Sequence, residues 1–446
     1  MLRWGQVCRG IALVVGMLLM AQPVCAQPGR AARPYRALFG GDASNQRSLH
    51  QLDLTVSLNG GADNGLVAPH AVTSSDSSGG SSPAEFSGLY SAGAQLSYAM
   101  RGSRVGIGAT GSTTYPYYSS LPNAQDLAYG TGANFSFVSG PTSVSAFGSF
   151  AYSPYYSPAL APGSGTALPG GSFDYASALS PNETILGGAS LTRRFGRQTS
   201  MAAAYSLSGV AFVDEDRSNS NQSTRLSASR QVSRSVTFNG GYVYSEAHYP
   251  GSAMAATSRS HGGDLGLGYN RRSSRGRGST LGVTVGGAVV DYQERQSQRW
   301  RGSLSFSQAL GTNWTAGVNY RRSLQYQNEL QEPVWADLVR AAVGGRFGRR
   351  VNLSLAAAYS VGEQLATSSP RFDIYSGTAR VQVALAEFVA ITADYISYRY
   401  SYPAGYDLPA GVPPRMDRQR LQIGASFWLP LVRAGRAREP RPAASQ

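Results

Sequence analysis

Between Leu52 and Leu429 the chain repeatedly sets an apolar residue at every second position for about ten residues and then breaks at a turn. From Phe86 to Met100, one parity carries Phe86, Tyr90, Ala92, Ala94, Leu96, Tyr98 and Met100, and the other is mostly Ser, Gly and Gln. Successive side chains of a strand point to opposite faces, so a segment written this way offers lipid one face and a polar interior the other. The pattern predicts an all-β chain forming a single antiparallel transmembrane β-barrel.

Residues 1–26 read as a secretory signal: Arg3 and Arg9 lead, an apolar run follows from Ile11 to Met20, and Val24-Cys25-Ala26 forms a small-residue cleavage site. Cys25 invites a lipoprotein reading, but bulky Val24 stands where a small residue normally precedes a lipidated cysteine. No later stretch approaches the roughly 20 apolar residues that a spanning helix needs, which excludes a helical membrane bundle. Both cysteines, Cys8 and Cys25, fall inside the signal, so the mature chain is expected to lack a disulfide framework and a cysteine metal site. Residues 27–47 read as a flexible periplasmic segment, 48–430 as the barrel and 431–446 as a flexible Arg/Pro-rich tail.

Alternating segments fall near 49–58, 86–100, 104–115, 127–138, 142–152, 183–195, 199–212, 223–232 and 236–245, and again near 261–270, 279–291, 299–310, 314–321, 335–347, 351–361, 372–384, 388–400 and 418–429. That is about 18 strands, an even number as bacterial single-chain barrels require. Sixteen is the alternative, because the pattern is weakest around Arg271 to Gly278. Connections alternate between tight links, such as Gly140-Pro141, Gly196-Arg-Gln198 and Gly311-Thr-Asn313, and longer stretches such as 59–85 and 153–182. Short periplasmic turns and long extracellular loops would give this alternation. Aromatics on the apolar parity cluster near strand ends, where amphipathic rings suit the headgroup level. Phe195, Phe238, Tyr269, Trp314, Phe347 and Phe427 would mark a periplasmic belt, and Tyr115, Tyr244, Trp300, Tyr320, Trp335 and Tyr359 an outer one.

Two loops join proline to tyrosine, Tyr115-Pro-Tyr-Tyr118 and Tyr152-Ser-Pro-Tyr-Tyr-Ser-Pro158. Tyr117, Tyr118, Tyr155 and Tyr156 could pack on one another as a lid at the barrel rim, or stack on the sugar rings of a glycan.

The repeated pattern and the final strand, Arg420-Leu-Gln-Ile-Gly-Ala-Ser-Phe-Trp-Leu429, resemble those of bacterial outer-membrane β-barrel proteins, including porins and barrels associated with extracellular polysaccharide export. The resemblance implies residence in the outer membrane of a Gram-negative cell, contact with its lipid, and delivery by the outer-membrane assembly machinery, to which such proteins offer their last strand. Here a tail follows Leu429, a departure from chains that close on an aromatic residue.

The inward parity is rich in Ser, Gly, Thr, Asn and Ala, which leave space, and barrels of this size are wide enough for water. Arg301, Arg321, Arg340 and Arg380 oppose Asp53, Asp264 and Asp394 on that parity. If the hairpin turns about Glu387, Arg380 faces Asp394 as an ion pair in the lumen wall, leaving Arg301, Arg321 and Arg340 as selectivity candidates for anions. The expected function is a porin-like channel for small polar or anionic solutes; the alternative is a non-enzymatic barrel serving polysaccharide export or surface attachment.

The formal charge of +14 comes entirely from arginine and falls to +12 without Arg3 and Arg9. Those arginines are scattered along strands and turns, which argues against a nucleic-acid partner. An enzyme reading lacks parts: His50, His70, His248 and His261 have no evident nucleophile or orienting acid beside them. Nothing clusters as metal ligands, and the Gly-rich pieces precede no helix, so no catalytic residue, metal or cofactor is expected.

Overall fold

The computed structural model describes residues 48–64, 87–119, 127–154, 181–213, 218–250, 256–272, 278–293, 295–326, 333–365, 371–403 and 414–436. The predicted signal, both flexible segments as far as residue 47 and beyond residue 436, and Tyr155 and Tyr156 lie outside these residues.

Eighteen strands form: β1 Ser48–Asp63, β2 Ser87–Arg101, β3 Val105–Tyr118, β4 Ala128–Ser139, β5 Thr142–Ser153, β6 Asn182–Phe195, β7 Thr199–Phe212, β8 Ser218–Gln231, β9 Val236–Tyr249, β10 Ala256–Arg272, β11 Gly278–Tyr292, β12 Arg295–Leu310, β13 Trp314–Tyr326, β14 Pro333–Phe347, β15 Val351–Gln364, β16 Phe372–Ala384, β17 Val389–Ser401 and β18 Arg415–Arg436. Each pairs antiparallel with its neighbours in sequence, and β1 pairs with both β2 and β18, so the meander closes on itself. Closure gives every strand a partner on both sides, the condition for crossing a bilayer with strands. β18 runs past the Pro430 boundary expected from sequence: a bulge at Leu52/Asp53 lets it continue, Leu52 against Val432 and Ser48 against Arg436.

The turns at one end are short, and four of them contain glycine in the left-handed region: Gly140 (φ 54°), Gly196 (71°), Gly311 (75°) and Gly348 (62°). A side chain there would meet the following carbonyl, which is why those links are written with glycine. At the opposite end the loops are not all long. β11 and β12 extend to Tyr292 and Arg295, leaving a two-residue link at 293–294 with Gln293 at φ 48°. The strands use up chain that the sequence pattern leaves to loops.

Large apolar side chains such as Leu96, Ile107, Leu191, Leu226, Leu267, Val285, Phe306, Leu355 and Ile423 stand exposed on the outward parity. A continuous apolar belt of this kind around a closed sheet is untenable in water and suits lipid. Most of the expected periplasmic belt lies on it, with Phe195, Phe238, Tyr269, Phe347 and Phe427 all exposed.

The wall is not uniform at its outer end. β12 and β13 pair only from Leu310–Trp314 up to Gly302–Arg322; above that, Arg295 to Arg301 and Ser323 to Tyr326 are strand without each other as partners. Nine residues of strand rise roughly 23 Å at a tilt near 40°, close to the height of the apolar band, so the wall forks at about the outer headgroup level. Beyond the fork β14 is buried at four consecutive positions, Pro333 to Ala336, a run that no other described strand shows. Trp335, expected in the outer aromatic belt, is only 3% exposed and packs in a cluster with Ala288 and Val290. Alternation assigns a side chain to a face of its strand, but not what that face meets once the strand leaves the wall.

Candidate functional site

The ladders fix which side chains share the lumen face. On β12 it carries Arg299, Arg301, Ser303, Ser305 and Ser307; on β11, Thr280, Gly282, Thr284, Gly286 and Ala288; on β13, Thr315, Gly317, Asn319 and Arg321; on β14, Arg340. Small residues on β11 and β12 keep this wall thin, so the arginine side chains stand above it.

Asp264 on β10 is the acid of this wall. Arg225 Nη2 on β8 lies 3.0 Å from its Oδ1, and Arg301 Nη2 on β12 lies 3.3 Å from its Oδ2. The bridge needs empty space around it. Gly241 is the cross-strand partner of Asp264, and a Cβ there would sit 2.9 Å from Asp264 Oδ1 and 3.0 Å from Arg225 Nη2. A Cβ on Gly262 would sit 2.6 Å from Arg301 Nη1. Arg321 is exposed and makes no ion pair with a described acid, and Arg340 stands across the ladder from Asn319.

The other lumen acids also have arginines. Arg380 Nε donates to Asp394 Oδ1 at 2.5 Å, Arg433 Nη2 lies 2.9 Å from Asp53 Oδ1, and Arg418 grips Asp63. Among the described residues Asp53, Asp63, Asp264 and Asp394 are the acids on the lumen parity, and arginines outnumber them. With each acid matched, the surplus arginines give the lumen its positive charge. Arg225 belongs to this set although sequence reasoning passed it over; its parity neighbours Ser223, Ser227 and Ser229 are the signal that marks it as inward. Phe147 and Leu186 also project into the lumen, 55% and 44% exposed, the ring lying over Gly188.

Of the tyrosines set apart in the sequence, Tyr117 and Tyr118 lie among the described residues and take opposite faces of β3. Tyr118 is 0% exposed on the lumen side and cannot offer a face to a sugar outside. Tyr117 points the other way, its ring 6.2 Å from that of Tyr90. The described histidines lie on the outward parity: His50 beside Tyr98 at 2.9 Å, His261 beside Tyr242 at 2.7 Å, and His248 beside Thr257 at 3.1 Å. Among the described residues no group of His, Cys, Asp and Glu is arranged to hold a metal ion.

No protein-family pattern matches the sequence, and no curated protein matches it. Solved structures do. The chain is similar to Pseudomonas aeruginosa OpdQ (12% identity over 86% of this chain and 99% of that one, TM-score 0.44). It is similar to Acinetobacter baumannii OccAB4 (13%, 86% and 100%, 0.44) and to Pseudomonas aeruginosa OpdK, solved with vanillate (12%, 85% and 98%, 0.43).

Proposed function

We propose that the protein is an outer-membrane channel for small polar and anionic solutes, its lipid-facing belt holding it in the bilayer and its arginine-rich wall setting the preference for charge. One observation carries the reading: every described lumen acid already has an arginine against it, and Arg321 is left facing the lumen. In water a unit charge ~7 Å away contributes ~0.6 kcal/mol, so each unopposed arginine raises the local anion concentration about threefold at low salt and less at high salt. The proposed partners are lipid along the apolar belt and the assembly machinery at β18. Reversal potentials across a planar bilayer under a salt gradient test the channel. Replacing Arg301, Arg321 and Arg340 together by Gln is expected to abolish anion preference while conductance persists; an unchanged reversal potential would sink the proposal.

A further inference from the structure

The outer ends of β13, β14 and β15 are covered on both faces. Their lumen-parity side chains Val334 and Leu338 are buried, and Val334 belongs to an apolar cluster with Phe212 of β7, Ile374 of β16 and Met416 of β18. Three of their outward-parity side chains meet residues of the lumen face. Tyr326 Oη lies 3.5 Å from Ser260 Oγ, which is on the lumen side of β10. Glu363 Oε1 lies 3.1 Å from Arg299 Nη1, on the lumen side of β12. Trp335 packs with lumen-side Ala288 and Val290 of β11. Outward-parity side chains of β13, β14 and β15 therefore meet the inward faces of β10, β11 and β12. That is possible only if the three strand ends leave the wall at the fork above Gly302–Arg322 and cross inside it.

We infer that the ends of β13, β14 and β15 are a gate that closes the outer mouth of the lumen, hinged where β12 and β13 part. The inference rests on the channel reading. Arg301 and Arg321 sit at the hinge, so the closed ends lie directly outward of the arginine wall. The closed packing is imperfect: Trp335 Nε1 and Ser360 Oγ are buried without a hydrogen-bond partner among the described residues. A buried donor left without an acceptor is costly, and returning it to water refunds part of the work of unpacking the ends. Arg322, stacked 4.7 Å over Trp300 across the fork and bound to Asp337 at 2.7 Å, is the latch outside it.

Access, not current, tests the gate. Ser305, exposed on the lumen face below the fork, is changed to Cys in a full-length chain whose Cys8 and Cys25 are Ser. Intact cells are then treated with a bulky maleimide that crosses neither membrane nor narrow pore. Trp335→Ala, which removes a buried side chain that holds the ends in, is expected to speed labelling of that cysteine by at least about tenfold over the parent, and Glu363→Gln, which weakens an ion pair with partly exposed partners, by about two- to fivefold. Gel-shift on heating confirms that each variant forms a barrel, and the milder Glu363 change stands in should Trp335→Ala not assemble. Equal labelling rates in parent and variants, whether fast or slow, overturn the gate. Faster labelling without any bilayer current would leave the gate standing and remove the channel.

Discussion

Arg418 on β18 and Asp63 on β1 form a two-pronged ion pair across the seam where the barrel closes. Nε donates to both carboxylate oxygens at 2.9 and 3.1 Å, and Nη2 donates to one of them. The side chains are 3% and 0% exposed. At the other end of the same seam Arg433 pairs with Asp53 and lies 5.3 Å from the Trp428 ring. The two ends of the strand order are thus clamped by charge as well as by backbone.

Arg418→Ala is expected to cost about 3–5 kcal/mol, because it takes the two-pronged guanidinium away from a fully buried carboxylate. Removing both charges, as in Asp63→Leu with Arg418→Met, is expected to recover most of that loss. Urea midpoints in detergent micelles measure both; a single variant as stable as the parent would show that the pair contributes nothing to closure.

Asp264→Asn should move selectivity the opposite way from the arginine variants. Arg225 and Arg301 now share one negative charge, and losing it raises the charge of that cluster from +1 to +2. One added unit at a lumen wall is worth about a threefold gain in local anions at low salt. Reversal potentials should shift toward stronger anion preference, and the shift should shrink as salt rises. No shift at low salt would mean that this cluster does not face the permeation path.

How much of this was legible in the sequence depended on range. The β16–β17 hairpin was readable because its turn is local: placing the bend about Glu387 sets Val383 against Ile391 and Val381 against Ala393, and the ladder has those partners. It also sets Arg380 opposite Asp394. Strand count was readable to within one hairpin because alternation recurs in eighteen segments with turn chemistry between many of them. Arg225 meeting Asp264 two strands away, or Arg418 meeting Asp63 across 355 positions, depends on the stagger of the closed sheet, which no local pattern encodes. Trp335 misled for another reason: an aromatic on the outward parity reads as a membrane belt unless its strand bends into the lumen.

Gly311→Val is expected to destabilise the barrel by about 1–2 kcal/mol, since φ at this turn is 75° and nothing crowds the site. The same change at Gly377, which also has open space but no left-handed φ, serves as the control and should be close to neutral. Equal urea midpoints for the two variants would show that backbone conformation is not what the turn requires.

Gly241 and Gly286 flank Asp264 on opposite sides, and alanine should act differently at each. A Cβ at Gly286 would run into the backbone of Gly263 and Asp264, which cannot swing aside, so Gly286→Ala is expected to cost about 1–3 kcal/mol. A Cβ at Gly241 meets the movable ends of Asp264 and Arg225 most closely, with the Leu226 carbonyl oxygen at an ordinary 3.4 Å. Gly241→Ala should therefore keep stability within ~1 kcal/mol while prising the bridge apart, and an opened bridge leaves Arg225 freer to attract solute. Its reversal potential should move in the same direction as that of Asp264→Asn, by less. Should Gly241→Ala unfold the barrel as readily as Gly286→Ala, the space beside Asp264 would be required by the sheet and not by the ion pair.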